Sequence, residues 1–413
     1  MSPHECARIL PRLGEILETA EGQCSSWHRY SSTMRQRRIR SVKSLAAATF
    51  AACLVAGAYA QPAHRYLLYV ASEAADRITL LRFDGTTLRI EREVDTGVMP
   101  VEIDGPHGLG VSPDGQSFFV SLAHGQPNGA LWKYSTSTNR PIGQVTLSMF
   151  PATLQVSPSG EFVYVVNFNL HGAPVPSSVS VVHADTMLEL ARIQTCRMPH
   201  GSRFNALGTR HYSACMMDDI VVEIDTATLR VSRYFRLGSG AEGGAGGPPP
   251  IAPASHHDMT AHGADAVNAT TVTCSPTWVQ PSADGTSIFV ACNGTSQIVE
   301  IEVDSWRIRR RLAGRSGVYN LAATRNGRFL VTTNRRDQSV SIIDVPTGNE
   351  TAHLATPRKA VHGVAITSDD RYAFVSSEGI GAEPGSVIAI DLASSALVAA
   401  VDVAPQAGGI DVR

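Results

Sequence analysis

Short runs of alternating apolar and polar residues fill the chain from residue 65 onward, and each run is closed by a turn signal. The stretch PHGLGVSPDGQSFFVS, which begins at Pro106, shows the pattern: an alternating run, the turn pair Asp114-Gly115, then a second run rich in β-formers. Period-two alternation on both sides of such a pair predicts an antiparallel hairpin. The frame returns at Pro151 (PATLQVSPSGEFVYVVN), Pro199 (PHGSRFNALGTRHYSAC), Pro276 (PTWVQPSADGTSIFVAC), Val318 (VYNLAATRNGRFLVTTN) and Val361 (VHGVAITSDDRYAFVSS). In all six copies the turn falls eight and nine residues after the first position, at Asp114-Gly115, Ser159-Gly160, Leu207-Gly208, Asp284-Gly285, Asn326-Gly327 and Asp369-Asp370. A register held this strictly is an internal repeat, and the repeat sets the fold.

Each hairpin is followed by a third run and a polar turn into a fourth, as in SVSVVHADTMLELARI, IVEIEVDSWRIRRRL and SVSIIDVPTGNETAHL. Four short strands every 42–48 residues is the spacing of β-propeller blades. The unit opened by Pro199 is longer because of an insertion at residues 238–272. A seventh unit is divided between the ends: RYLLYVAS, residues 65–72, begins at a second strand, and AGGIDVR, residues 407–413, supplies the missing first one. The expected fold is an all-β, seven-bladed propeller forming one domain over residues 61–413, its first blade closed by the C-terminal strand. Such closure leaves no large unpaired sheet edge.

The elements PHGLGVSPDG…FFVS, PATLQVSPSGEFVYVVN and SVSIID resemble the repeats of YVTN-type (YncE-like) seven-bladed β-propellers, over residues 65–413. The resemblance implies the fold. It leaves the function open, because the family spans binding proteins and surface proteins, and its relatives by architecture include lactonases, nitrous oxide reductase and the haem-binding propeller of one nitrite reductase class.

The N-terminus adds a compartment. MRQRRIR from Met34, the apolar run at residues 45–57 and AYA at residues 58–60 make the basic region, hydrophobic run and cleavage site of a secretory signal. Residues 34–60 are read as that signal, and residues 1–33 as an upstream mis-start or extension. The apolar run is too short for a transmembrane helix. The weaker alternative makes Cys53 a lipoprotein attachment site. A periplasmic or secreted chain retains Cys196, Cys215, Cys274 and Cys292, an even set expected to form disulfides. Cys215 and Cys292 each lie sixteen residues after a unit start, while Cys196 and Cys274 lie three and two residues before one. Hairpin geometry therefore favours Cys196–Cys215 and Cys274–Cys292. Other pairings stay open, as does copper ligation by Cys215 beside Met216 and Met217.

Charge removes one class of partner. A formal net charge of -2 argues against broad electrostatic attraction to nucleic acid, and RIRRR at residues 307–311 is read as a solvated strand and turn. GSGAEG at residues 238–243 matches a dinucleotide fingerprint but runs into GAGGPPP instead of a helix, so it offers no pyrophosphate site.

Histidine is the remaining signal. In a propeller the start of each first strand and the end of each second strand lie at one face, where the channel opens. His107, His200 and His362 each follow a unit start by one residue, and His124 and His171 leave second strands. The insertion, carrying His256, His257 and His262, projects to the same side. Imidazoles in this number suit zinc or copper. The plainer role is hydrogen bonding between neighbouring blades, with no cofactor bound. Asn167, Asn334 and Glu378 end second strands and complete a polar ring at the mouth. The sequence holds no GxSxG elbow, HExxH or Walker loop. The reading is a monomeric, exported binding or scaffold propeller, with a small ligand or protein partner at the mouth. A metal- or haem-binding redox propeller and a lactonase-like hydrolase are the alternatives.

Overall fold

The computed structural model describes residues 66–97, 103–125, 127–247 and 272–413. The signal-like segment, Cys53 and the insertion histidines His256, His257 and His262 lie outside the described residues. Those described form seven antiparallel sheets, six with four strands and one with five. Among them no helix is long and apolar enough to cross a membrane.

The turn chemistry explains the repeat. Gly115, Gly160, Gly208, Gly285 and Gly327 adopt φ of +67° to +78°, and Asp370 takes +58° at the equivalent place. These are left-handed positions, cheapest for glycine and next for Asp or Asn. First strands follow the predicted frame: Pro106–Val111, Pro151–Val156, Pro199–Phe204, Pro276–Pro281, Val318–Ala323 and Val361–Ile366 open blades two to seven. Blade one takes its first strand from Ala407–Val412, which pairs antiparallel with Tyr66–Ser72, as the divided unit requires. A register shift interrupts first-to-second-strand pairing just after each blade start, for example between Pro106 and Leu109 and between Val361 and Val364. Such a bulge bends the strand and re-aims its side chains.

Each blade-to-blade contact holds its own apolar cluster. Tyr66 and Phe83 of blade one meet Tyr372 and Phe374 of blade seven, and Tyr69 packs on Phe118 of blade two with ring centroids 4.6 Å apart. A large aromatic side chain buries 150–250 Å², and burial stabilises at roughly 25 cal/mol per Å². Fourth strands run along the perimeter and alternate exposed and half-buried residues, as in Asn349–Ala355. The RIRRR run is such a strand, with Arg310 donating to Glu300 at 2.5 Å and Arg311 to Glu242 at 3.0 Å. The insertion departs from expectation at its start. Gly243–Ala245 pairs with Arg230–Arg236 as a fifth strand, since small residues let the backbone follow the exposed edge.

His211 opens a second strand, at the far end of its blade from His200. It is fully buried between Tyr164 and Phe204, with both ring nitrogens unpartnered. Burial first, and then the nearby charge of Arg203, pull its pKa down to about 3. The unfolded chain therefore binds a proton near pH 6.5 that the folded chain refuses, so this residue's contribution is complete above pH 6.5 and is lost as pH falls towards 3. His211→Phe removes that loss. We expect the variant's urea midpoint to fall less steeply than that of wild type between pH 7 and pH 4; equal slopes would show that His211 does not set the acid limb.

Candidate functional site

Because seven first strands converge on one axis, equivalent positions form tiers around the channel. The second residue of each first strand gives the outermost tier: His107, Ala152, His200, Thr277, Tyr319, His362 and Gly408. Blade two, which carries His107, stands between Gly408 and Ala152. These small neighbours leave the axis to imidazole. The ring centroids of His107, His200 and His362 lie 5.6–6.4 Å apart, and one nitrogen from each lies within 4.8 Å of the others. His200 and His362 are buried and His107 is half-buried.

Each ring is oriented from behind. His107 Nδ1 is 2.6 Å from Glu73, whose other oxygen is 2.6 Å from His124 Nε2. His200 Nδ1 donates to the carbonyl of Thr277 at 3.0 Å, so its Nε2 accepts from the Tyr319 hydroxyl at 3.1 Å. His362 Nε2 lies 3.8 Å from Glu378, a carboxylate held by two Arg335 N–H groups at 2.7 and 2.6 Å. Arg335 in turn lies over the Tyr319 ring. His171 packs beside His124 and Phe150 at the edge of the group.

Four polar atoms remain. His107 Nε2, His362 Nδ1, Asn320 Oδ1 and Trp278 Nε1 are buried with no hydrogen-bond partner among the described residues. Their residues line one small cavity of about 40 Å³. Trp278 lies across Gly201 of the adjacent blade, where a Cβ would come within 2.2 Å of the indole. Glycine is therefore required for the indole to reach the axis.

The charges divide unevenly. Burial lowers the pKa of His200 to about 3, helped by His107, and burial also takes His362 well below its ordinary value. Burial opposes charge on His107 as well, but the Glu73 carboxylate outweighs it and the pKa rises. Burial would raise Glu73, yet His107 and His124 together hold it well below the usual carboxylate range. Two neutral imidazoles thus face one whose charge is matched by the half-buried Glu73 carboxylate.

The structure brings His107, His200, His362 and Glu378 together, with His124 and His171 alongside. Asn167 and Asn334 stand elsewhere: both are fully buried within their blades, their amide nitrogens donating to Ser178 and Ser180, and to Ser339 and Ser341. Sequence reasoning missed Glu73, Tyr319, Arg335, Trp278 and Asn320. A signal for Glu73 was present, since YVASE in blade one matches FVSSE in blade seven and aligns Glu73 with Glu378.

Both disulfides form as the hairpin geometry favours, Cys196–Cys215 and Cys274–Cys292, so Cys215 is not a thiolate ligand. The acids that follow are more than loop polarity. Asp218 accepts from the backbone and side chain of Arg197 at 2.7 and 2.5 Å. Asp219 accepts from the backbone N–H groups of Thr273 and Ser275 at 2.6 and 2.7 Å, fixing the chain where it returns from the insertion.

No family model matches the sequence, and no curated protein sequence matches it. Among solved structures, the chain is similar to the periplasmic gluconolactonase of Pseudomonas aeruginosa, with a TM-score of 0.63 at 18% identity over 84% of this chain and 99% of that one. It is similar to a functionally unknown protein of Desulfotomaculum acetoxidans, with a TM-score of 0.62 at 13% identity over 84% and 98%. It is also similar to Kuenenia stuttgartiensis hydrazine synthase, with a TM-score of 0.56 at 18% identity over 76% and 91%. At these identities the likeness defines the class, a seven-bladed β-propeller.

The Cys274–Cys292 bridge closes a loop of 18 residues at the point where the insertion rejoins the body. A Cys274→Ala/Cys292→Ala variant should lose about 2–4 kcal/mol of stability. Denaturant unfolding checks this, and an unchanged midpoint would show that Asp219 alone fixes the junction.

Proposed function

We propose that the protein is an exported binding propeller whose ligand at the histidine-rich mouth is a divalent transition-metal ion, zinc or copper. One observation carries this reading: unpartnered His107 Nε2, His362 Nδ1 and Asn320 Oδ1 around a single small cavity. Buried polar atoms are almost always satisfied, and an orphaned set in one place calls for a bound species. His362 Nδ1 and Asn320 Oδ1 offer lone pairs, His107 Nε2 offers one once the ion displaces its proton, and the Trp278 N–H is left to a water or anion carried by the ion. The surrounding bonds agree, because metal-binding histidines characteristically give their other ring nitrogen to a carboxylate or a backbone carbonyl. Glu73 serves His107 in this way and the Thr277 carbonyl serves His200. With the nitrogens at the outer limit of 4.8 Å, a central ion would stand about 2.8 Å from each, against the ~2.0–2.1 Å of a Zn–N bond. Binding therefore requires each ring nitrogen to move inward by roughly 0.7–0.8 Å.

The two disulfides support the exported compartment inferred from residues 34–60, since such bonds persist where thiols are not kept reduced. The YVTN-type resemblance is compatible with a binding role. Protein purified gently from the periplasm should carry close to one equivalent of zinc or copper, measured by elemental analysis. Metal-stripped protein should take the ion back in calorimetry. His107→Ala/His362→Ala should abolish uptake, and Glu73→Gln should weaken it roughly 10–100-fold. Absence of zinc, copper and iron from the purified protein, together with no uptake by the stripped form, would sink the reading.

Lactone hydrolysis is the second reading, favoured by Glu378 standing 3.8 Å from His362 and by a neighbour in fold that is a gluconolactonase. A panel of aldonolactones tests it. Turnover that Glu378→Gln removes would support it, and no turnover by the metal-loaded wild type would exclude it.

A further inference from the structure

The opposite end of the channel is a wide funnel, about 870 Å³ at the mouth and about 300 Å³ farther in. Its floor is the tier formed by the fifth residue of each first strand. Four blades place Gln155, Arg203, Gln280 and Asp411 there, and the other three contribute glycine or alanine. Gln155, Arg203 and Gln280 stand on three consecutive blades and Asp411 faces them from between Gly110 and Ala365, which makes an asymmetric pocket of the size that small ligands occupy.

Arg203 is its distinctive group. The guanidinium is half-buried and stacks over the Trp278 ring at 4.9 Å. Its one side-chain hydrogen bond goes to the carbonyl of Ser202 at 3.0 Å. Among the described residues no carboxylate lies within ion-pair distance of it, whereas Arg197, Arg233, Arg310 and Arg335 all have one. Burial takes its pKa down to about 10, against the opposing pull of the Asp411 carboxylate. A planar guanidinium held against an aromatic face, with one N–H given to Ser202 and the others left over, is built for contact with a carboxylate.

Across the floor, Asp411 accepts backbone N–H groups of Val111 and Val412 at 2.8 and 2.9 Å. Each of its oxygens keeps a further lone pair. Burial pushes this carboxyl above its usual range, so it gains from a donor brought by a ligand. The carbonyl oxygen of the Gln280 amide is also free to accept, since its nitrogen donates to Pro281.

We propose that this funnel is a second ligand site, for a small carboxylic acid that also carries a hydroxyl or ammonium donor, with Arg203 taking the carboxylate and Asp411 the donor. The site opens at the other end of the channel from the histidine mouth, with Trp278 between them. It is tested on the wild-type chain by calorimetry and thermal unfolding with L-malate, L-glutamate and succinate, which share carboxylates and differ in carrying a hydroxyl, an ammonium or neither. Malate or glutamate should raise the unfolding midpoint at about 10 mM, and whichever binds identifies the donor. Succinate should bind at least tenfold more weakly, and Asp411→Asn should erase that difference. Arg203→Lys keeps the charge but loses the fork, and should weaken binding at least tenfold. Gln280→Glu leaves Arg203 intact but supplies a rival carboxylate, and should weaken binding comparably. The proposal is overturned if none of the three acids shifts the midpoint, if succinate binds as tightly as the other two, or if Arg203→Lys and Gln280→Glu both bind as wild type does.

Discussion

The pairing of Ala407–Val412 with Tyr66–Ser72 is the constraint on which the rest of the molecule depends. A propeller blade is apolar on both faces and is stable only when a neighbour covers each one. Without that pairing, blade one would lack its inner strand and the ring would stay open between blades one and seven. The aromatic cluster of Tyr66, Phe83, Tyr372 and Phe374 fills that very contact, so closure by hydrogen bonding and closure by packing coincide. Closure also fixes the radius of the channel. His107 and His362 stand on either side of blade one, and their rings meet at the axis because that blade presents Gly408 between them.

The fold could be read from the sequence because its determinants are local and repeated. A turn at fixed offsets, six times over, needs no knowledge of distant contacts, and the left-handed glycines confirm why those residues stand there. The disulfides could be read for the same reason: equivalent positions in successive hairpins imply equivalent geometry. His107, His200 and His362 shared a position in the repeat, and the tier they form is the repeat made three-dimensional.

What could not be read was everything set by side-chain direction across blades. Asn167 and Glu378 end second strands in adjacent frame positions, yet the amide of Asn167 turns into its own blade towards third-strand serines, whereas Glu378, one residue farther on, faces the mouth. A shift of one residue reverses the face a strand side chain points to, and hairpin-end irregularity hides which side applies. Tyr319 and Trp278 look like core aromatics in sequence. They act at the axis because a bulge after each blade start re-aims the strand and because Gly201 clears the space for indole. The fifth strand at Gly243–Ala245 escaped notice because glycine-rich sequence carries no period.

Trp278 stands between the two ends of the channel, perpendicular to the rings of His200 and His362 and with its face under Arg203. A buried indole responds in its emission to nearby charge. The same ring would therefore sense both a cation arriving among the histidines and the neutralisation of the guanidinium. The molecule carries an intrinsic optical probe at the place where its two halves meet.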